Sequence, residues 1–138
     1  MAQQITNGYK KMLEAAKSQI EEIEPAEAIK LAGNDDVVLV DLRDPRELER
    51  DGKVPGAFHC PRGMLEFWID PESPYHKAKF AEDKKFVFFC AGGLRSALSA
   101  KTAQDMGLKP VAHILEGFKG WKDAGGPVEA HVPKQPKK

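Results

Sequence analysis

A chain of 138 residues, 41% of them hydrophobic, has the length of one domain and enough apolar content for a core. Its 21 lysines and arginines balance 21 aspartates and glutamates, so no global charge argues for nucleic acid or a membrane surface as partner. No apolar run approaches the ~20 residues of a transmembrane helix, residues 1–6 lack the apolar core of a signal peptide, and two cysteines make neither a disulfide framework nor a metal site; a reduced, cytoplasmic protein is expected.

In chain order, Tyr9, Met12, Leu13, Ala16, Ile20 and Ile23 recur at helical spacing, with Lys10, Lys11, Glu14 and Lys17 opposite. Residues 1–22 therefore read as a helical extension, packed across the domain or paired with a second subunit. Ile23 is placed in a short edge strand. Glu24-Pro25 opens a second helix that Gly33 closes, since proline suits the first helical turn and glycine the end. Residues 37–42 are a continuous β-branched and aliphatic run, as in a central strand covered on both faces. Asp44-Pro45 starts a short helix over 46–50, and residues 54–60 form a turn feeding a third strand. Residues 63–69 read as helix with Leu65, Phe67, Trp68 and Ile69 in the core; 70–75 read as loop and 77–81 as a helical turn. A strand over 86–89, a helix over 96–106, a strand over 111–115 and a helix over 118–124 follow. Strands alternating with helices at this spacing predict an α/β domain over 23–129, around a mainly parallel sheet of about five strands with helices on both faces. Residues 130–138 read as a flexible basic tail.

The stretch from Phe86 to Ser96 organises the rest. Four apolar strand residues end at Cys90; Gly92, Gly93 and Arg95 follow, and a helix begins. A strand running through a glycine turn into a helix N-terminus points backbone N–H groups inward and adds partial positive charge. A cysteine at its lip is drawn toward thiolate, the nucleophilic form. Ligands in open parallel sheets bind at the carboxyl ends of strands, where Cys90 falls. Taken alone, Cys90 could equally be an inert, buried strand-end thiol.

The segment 90–96, Cys-Ala-Gly-Gly-Leu-Arg-Ser, resembles the active-site loop of the rhodanese-like sulfurtransferases. Residues 37–43 with 52–57 resemble that family's N-terminal signature, and 115–121 with 124–127 its C-terminal one. The resemblance covers residues 23 to 129 in the family's order. It implies covalent sulfur transfer through a persulfide on Cys90, with no metal and no organic cofactor. The backbone N–H groups of Ala91, Gly92, Gly93, Leu94 and Arg95 would hold the persulfide, and Arg95 the charge of an anionic donor. Implied partners are a small anionic sulfur donor such as thiosulfate and an acceptor thiol, free or on a protein.

Four residues, Ala91 to Leu94, separate Cys90 from Arg95. Phosphatases of similar design have one more, which widens the ring for a tetrahedral phosphate; the shorter ring fits a terminal sulfur. A cysteine phosphatase, a sulfur carrier and a non-enzymatic binding module are the alternatives. Asp41 and Arg43 end the strand beside the loop, where Asp41 reads as structural. Arg43 and Arg62 could enrich anions at the mouth or be ion-paired. Cys60 reads as core or as a thiol that resolves the persulfide. His59, His76, His113 and His131 share no spacing with Cys90 that suggests a Cys–His dyad, and Trp121 reads as core. Two departures stand out. Lys53 replaces the histidine usual near that surface turn, and a single glycine, Gly117, precedes Phe118 where the family carries a pair, leaving the local turn open.

Overall fold

The computed structural model describes residues 2–133, so residues 134–138 of the expected tail lie outside the described residues. One parallel sheet runs in the order β1 (Glu21–Ile23), β5 (Val111–Ile114), β4 (Lys85–Phe89), β2 (Val37–Asp41), β3 (Phe58–His59). Around it pack α1 (Tyr9–Lys17), α2 (Pro25–Leu31), α3 (Pro45–Asp51), α4 (Leu65–Ile69), α5 (Leu94–Met106) and α6 (Gly117–Asp123). Short 3-10 turns occupy Arg62–Met64 and Ala78–Ala81. The expected five-stranded, mainly parallel α/β architecture is what forms.

Two cores follow from the period-two alternation of buried strands. On one face Val38, Val40, Phe86, Phe88 and Val111 pack with Leu13 of α1, Leu65 of α4 and Ala97, Ala100 and Ala103 of α5. On the other face Leu39, Val87, Phe89, Ala112 and Ile114 pack with Ala28 of α2 and with Phe118 and Trp121 of α6. Alanines on α5 let a long helix lie close over the central strands. The same alternation carries Cys90, one residue past Phe89, toward the α5 face.

α1 is part of the first core. Leu13 and Ala16 are buried, while Tyr9 and Met12 are exposed. The helix stops at Lys17, so Ile20 and Ile23, placed by the helical pattern on one helix face, reach the core from the turn and from β1 instead. Phe67 departs from the reading of 63–69: it is 53% exposed. A 3-10 turn precedes α4 and leaves it little more than one turn, which buries Leu65 and Ile69 but turns the intervening Phe67 outward. α5 begins at Leu94 rather than Ser96, because left-handed Gly93 (φ 104°) starts the helix directly. That moves Arg95 from the loop into the first helical turn.

β2 leads on to β3 on one side of the sheet, whereas β4 leads on to β5 on the other. The carboxyl ends of β2 and β4 therefore flank the point where the chain reverses direction, the usual position of a ligand crevice. Asp41 lies at one of these ends and Cys90 just past the other. Leu13→Ala should lower stability by about 2–3 kcal/mol, the cost of a core truncation, as read by urea unfolding. An unchanged midpoint would mean that α1 is a detachable appendage.

Candidate active site

The turn after β4 folds back on Cys90. Its Sγ accepts hydrogen bonds from the N–H of Gly93 at 3.2 Å and of Ser96 at 3.4 Å. The side chain is 1% exposed, so the sulfur sits within the turn rather than on its rim. On the outer side, the carbonyls of Cys90 and Ala91 accept from Phe118 N–H at 2.7 Å and Lys119 N–H at 3.2 Å, at the start of α6. A trans peptide sets N–H opposite C=O. Anchoring these carbonyls therefore turns the N–H groups of Ala91 and Gly92 away from α6.

Gly117 makes the anchor possible. A Cβ there would run into the Cys90 carbonyl, and its φ is 54°. Glu116 precedes it in the same left-handed region, at φ 58°. The turn left open by the single glycine thus forms, with one residue lacking a Cβ where the loop presses closest. Gly92 differs, since a Cβ there would meet nothing. Its contribution is open space on the exposed side of the loop, next to Leu94, which is 57% exposed.

Arg95 is not a free cation. Its Nη1 and Nη2 donate to Glu47 Oε1 at 2.7 Å and Oε2 at 2.9 Å, a bidentate pair. Glu47 is fixed from its own side by the capping box that opens α3. Asp44 N–H donates to Glu47 Oε1 while Asp44 Oδ1 accepts from Arg46 N–H. The hydrogen bonds from Arg95 hold the Glu47 carboxyl down at about 2, against an ordinary 4.5, although partial burial opposes this. Arg95 is raised in turn, chiefly by Glu47 and to a lesser degree by nearby Cys90.

Asp41 and Arg43 lie beside the loop in the interior. Arg43 is 1% exposed and donates from Nε and Nη2 to both Asp41 oxygens, and from Nη2 to the Gly52 carbonyl at 2.9 Å. Its guanidinium stacks 4.0 Å over the Phe118 ring. Arg43 thereby ties β2, the end of α3 and the start of α6 together; it is not at the mouth. Leu42 N–H donates to the Phe89 carbonyl at 2.9 Å, which joins this strand end to the base of the loop. Arg62 is paired with Glu66 at 2.9 Å. Cys60 is buried in the α5-side core, and burial pushes its thiol up to about 12. His59 and His76 bond to the carbonyls of Arg43 and Trp68. Trp121 is fully buried and donates to the Pro127 carbonyl.

His113 is brought to Cys90 indirectly. Ser96 Oγ lies 3.6 Å from Cys90 Sγ and 3.0 Å from His113 Nδ1, and His113 Nε2 lies 2.9 Å from Glu22 Oε2. Burial lowers His113 below its ordinary 6.5 despite the carboxylate beside it. Burial raises Glu22, but hydrogen bonds from His113 and Lys17 outweigh that and hold it below the ordinary value. Sequence spacing hid His113, Ser96, Glu22 and Glu47; the visible signal was a histidine inside the otherwise apolar run Val-Ala-His-Ile. Among the described residues, no group of three or more His, Cys, Asp and Glu side chains is placed to hold a metal ion.

Residues 24–124 match the family described as the Rhodanese-like domain. The chain is 28% identical over 96 residues to the mouse "Thiosulfate sulfurtransferase/rhodanese-like domain-containing protein 3", a match covering 66% of this chain and 61% of that protein. It is 28% identical over 101 residues to a "Sulfurtransferase" of Allochromatium vinosum, covering 73% and 86%. Among solved structures, a protein of unknown function and possible tyrosine phosphatase from Rhodopseudomonas palustris is 69% identical. It superposes with a TM-score of 0.91, covering 94% of this chain and 99% of that one.

The Arg95–Glu47 pair has a pH signature. Glu47 is depressed in the fold from 4.5 to about 2, so its stabilising contribution is complete above 4.5 and is lost as pH falls through about 2. Glu47→Gln keeps an acceptor for Asp44 but loses the charge. It should cost about 1 kcal/mol at pH 7, allowing for solvent around half-exposed Arg95, with the difference narrowing by pH 3. Urea titrations at both pH values check this, and a pH-independent difference would contradict it.

Proposed function

Because the chain belongs to the rhodanese-like domain family, we propose that it is a sulfurtransferase working through a persulfide on Cys90, with thiosulfate as one donor and a thiol as acceptor. The observation that carries this reading is the turn itself, with Cys90 Sγ receiving the Gly93 and Ser96 N–H groups at the start of α5. Those donors, with the helix N-terminus behind them, are placed to stabilise negative charge that develops on sulfur. In the first half-reaction the Cys90 thiolate attacks the outer sulfur of thiosulfate. An S–S bond forms to Cys90, the S–S bond of thiosulfate breaks, and its electron pair leaves on sulfite. The terminal sulfur of Cys90-S-S⁻ then needs donors one atom farther out, where the Ala91 and Gly92 N–H groups face away from α6. In the second half-reaction a thiolate, or cyanide, takes that sulfur and returns the Cys90 thiolate. This is covalent ping-pong chemistry, and no step of it calls for a metal or an organic cofactor.

A second reading, cysteine phosphatase, is favoured by the description of the Rhodopseudomonas palustris protein as a possible tyrosine phosphatase. Two features weigh against it here. Four residues between Cys90 and Arg95 make a ring too small for a tetrahedral phosphate. Arg95, which a phosphate dianion would need, is already taken in both directions by Glu47. A pure binding module would have no use for a cysteine enclosed by N–H donors.

Intact mass measured after incubation with thiosulfate should rise by about 32 Da, one sulfur, and fall back with cyanide. Cys90→Ser should stay folded and gain nothing. Arg95→Ala should retain some transfer but slow thiosulfate roughly ten- to a hundred-fold, because it also leaves the Glu47 charge bare beside an anionic donor. Adding Glu47→Gln to Arg95→Ala should recover part of that loss. No mass gain with either thiosulfate or an organic persulfide would overturn the reading, as would phosphate-ester hydrolysis that depends on Cys90.

A further inference from the structure

The buried contacts on the α5 side of Cys90 form a directional chain. Ser96 is fully buried, so its hydroxyl cannot meet a substrate. Its neighbours are Cys90 Sγ at 3.6 Å, His113 Nδ1 at 3.0 Å and the Gly93 carbonyl at 3.4 Å. At the far end Glu22 is held below the ordinary carboxylate value, hence ionised and able only to accept. That assigns the hydrogen to His113 Nε2, which donates to Glu22 at 2.9 Å. A neutral imidazole protonated on Nε2 has Nδ1 free as an acceptor, so Ser96 O–H points to His113 and Ser96 Oγ is left to accept from the Cys90 thiol.

The placement is built into the sheet. Glu22 and His113 are direct register partners of β1 and β5, on the face that α1 and α5 cover. Phe88 of β4 is the register partner of His113 on the other side, and is apolar. The charged groups facing His113 are therefore Glu22 from β1 and, through it, Lys17 from α1 at 3.3 Å from Glu22 Oε2. Glu22 is 28% exposed, so the chain runs from a buried sulfur to a carboxylate in contact with solvent.

We infer that Ser96, His113 and Glu22 form a proton relay that makes the Cys90 thiolate, with His113 as the buried base and Glu22 as the group that orients it. The S–H bond of Cys90 breaks as its proton passes to Ser96 Oγ, and the Ser96 O–H bond breaks as that proton passes to His113 Nδ1. Sulfur keeps its electron pair, Glu22 offsets part of the cost of burying the imidazolium, and no oxidation state changes. When an acceptor carries the sulfur away, the proton can return along the same path. The inference rests on Cys90 being the nucleophile of the proposed sulfur transfer, but alkylation of Cys90 tests it without any sulfur donor.

Rates of iodoacetamide alkylation of Cys90, followed by intact mass from pH 4.5 to 8, should show for the parent an acid limb with its midpoint below 6.5, where a second proton fills the Cys90–His113 pair. Glu22→Gln preserves shape and an acceptor for Nε2–H but removes the charge. It should slow alkylation at pH 7 by about tenfold or more and move the acid limb to lower pH. His113→Gln should lose the limb and slow alkylation by about a hundredfold. Should His113→Gln fail to fold, half-exposed Glu22 still supplies a decisive variant. A folded Glu22→Gln protein whose rate and profile superimpose on the parent's overturns the relay. A parent that takes no sulfur from thiosulfate or an organic persulfide, yet shows the shifted profile in Glu22→Gln, overturns the sulfur-transfer reading and leaves the relay standing.

Discussion

Everything at the site depends on how the chain leaves β4. Gly93 takes a conformation open to glycine (φ 104°) and starts α5 at once, which aims two helix-end N–H groups at Cys90 Sγ. The opposite side of the turn is pinned because the start of α6 holds the Cys90 and Ala91 carbonyls. A loop tethered on both sides does not have to reorganise when charge develops on sulfur. That is what the proposed persulfide on Cys90 would require of the loop.

The surrounding charges are arranged in pairs. Arg95 is matched by Glu47, Arg43 by Asp41, and Arg62 by Glu66. These pairs hold elements in place: Glu47 joins α3 to α5, and Arg43 joins β2, α3 and α6. They also leave Arg95 and Arg43 held by carboxylates, while backbone N–H groups of Gly93 and Ser96 reach Cys90 Sγ directly.

Much of this was legible in the chain. Apolar runs such as Val-Val-Leu-Val and Phe-Val-Phe-Phe mark strands covered on both faces, and the end of the second run puts Cys90 at a strand's carboxyl end. The Gly-Gly turn before a helix reads as an anion cradle, and in the fold that turn brings the N–H groups of Gly93 and Ser96 to Cys90 Sγ. Its details were not legible, because local spacing does not report register. Glu22 and His113 become neighbours only when β1 pairs with β5, and Glu47 meets Arg95 only when α3 returns over the start of α5. Phe67 was misplaced because its helix is too short to sustain the periodicity that suggested burial. Gly92 and Gly93 look equivalent in sequence, yet one supplies a backbone conformation and the other open space.

The turn after β4 is proposed to be a ring of donors sized for one extra sulfur on Cys90. A crystal structure of the protein treated with thiosulfate would show whether that ring holds the sulfur. One additional sulfur is expected about 2.0 Å from Cys90 Sγ, within hydrogen-bond distance of loop N–H groups and with the Arg95–Glu47 pair intact. A sulfur pointing away from those N–H groups, or one that displaces Glu47 to reach Arg95, would contradict it.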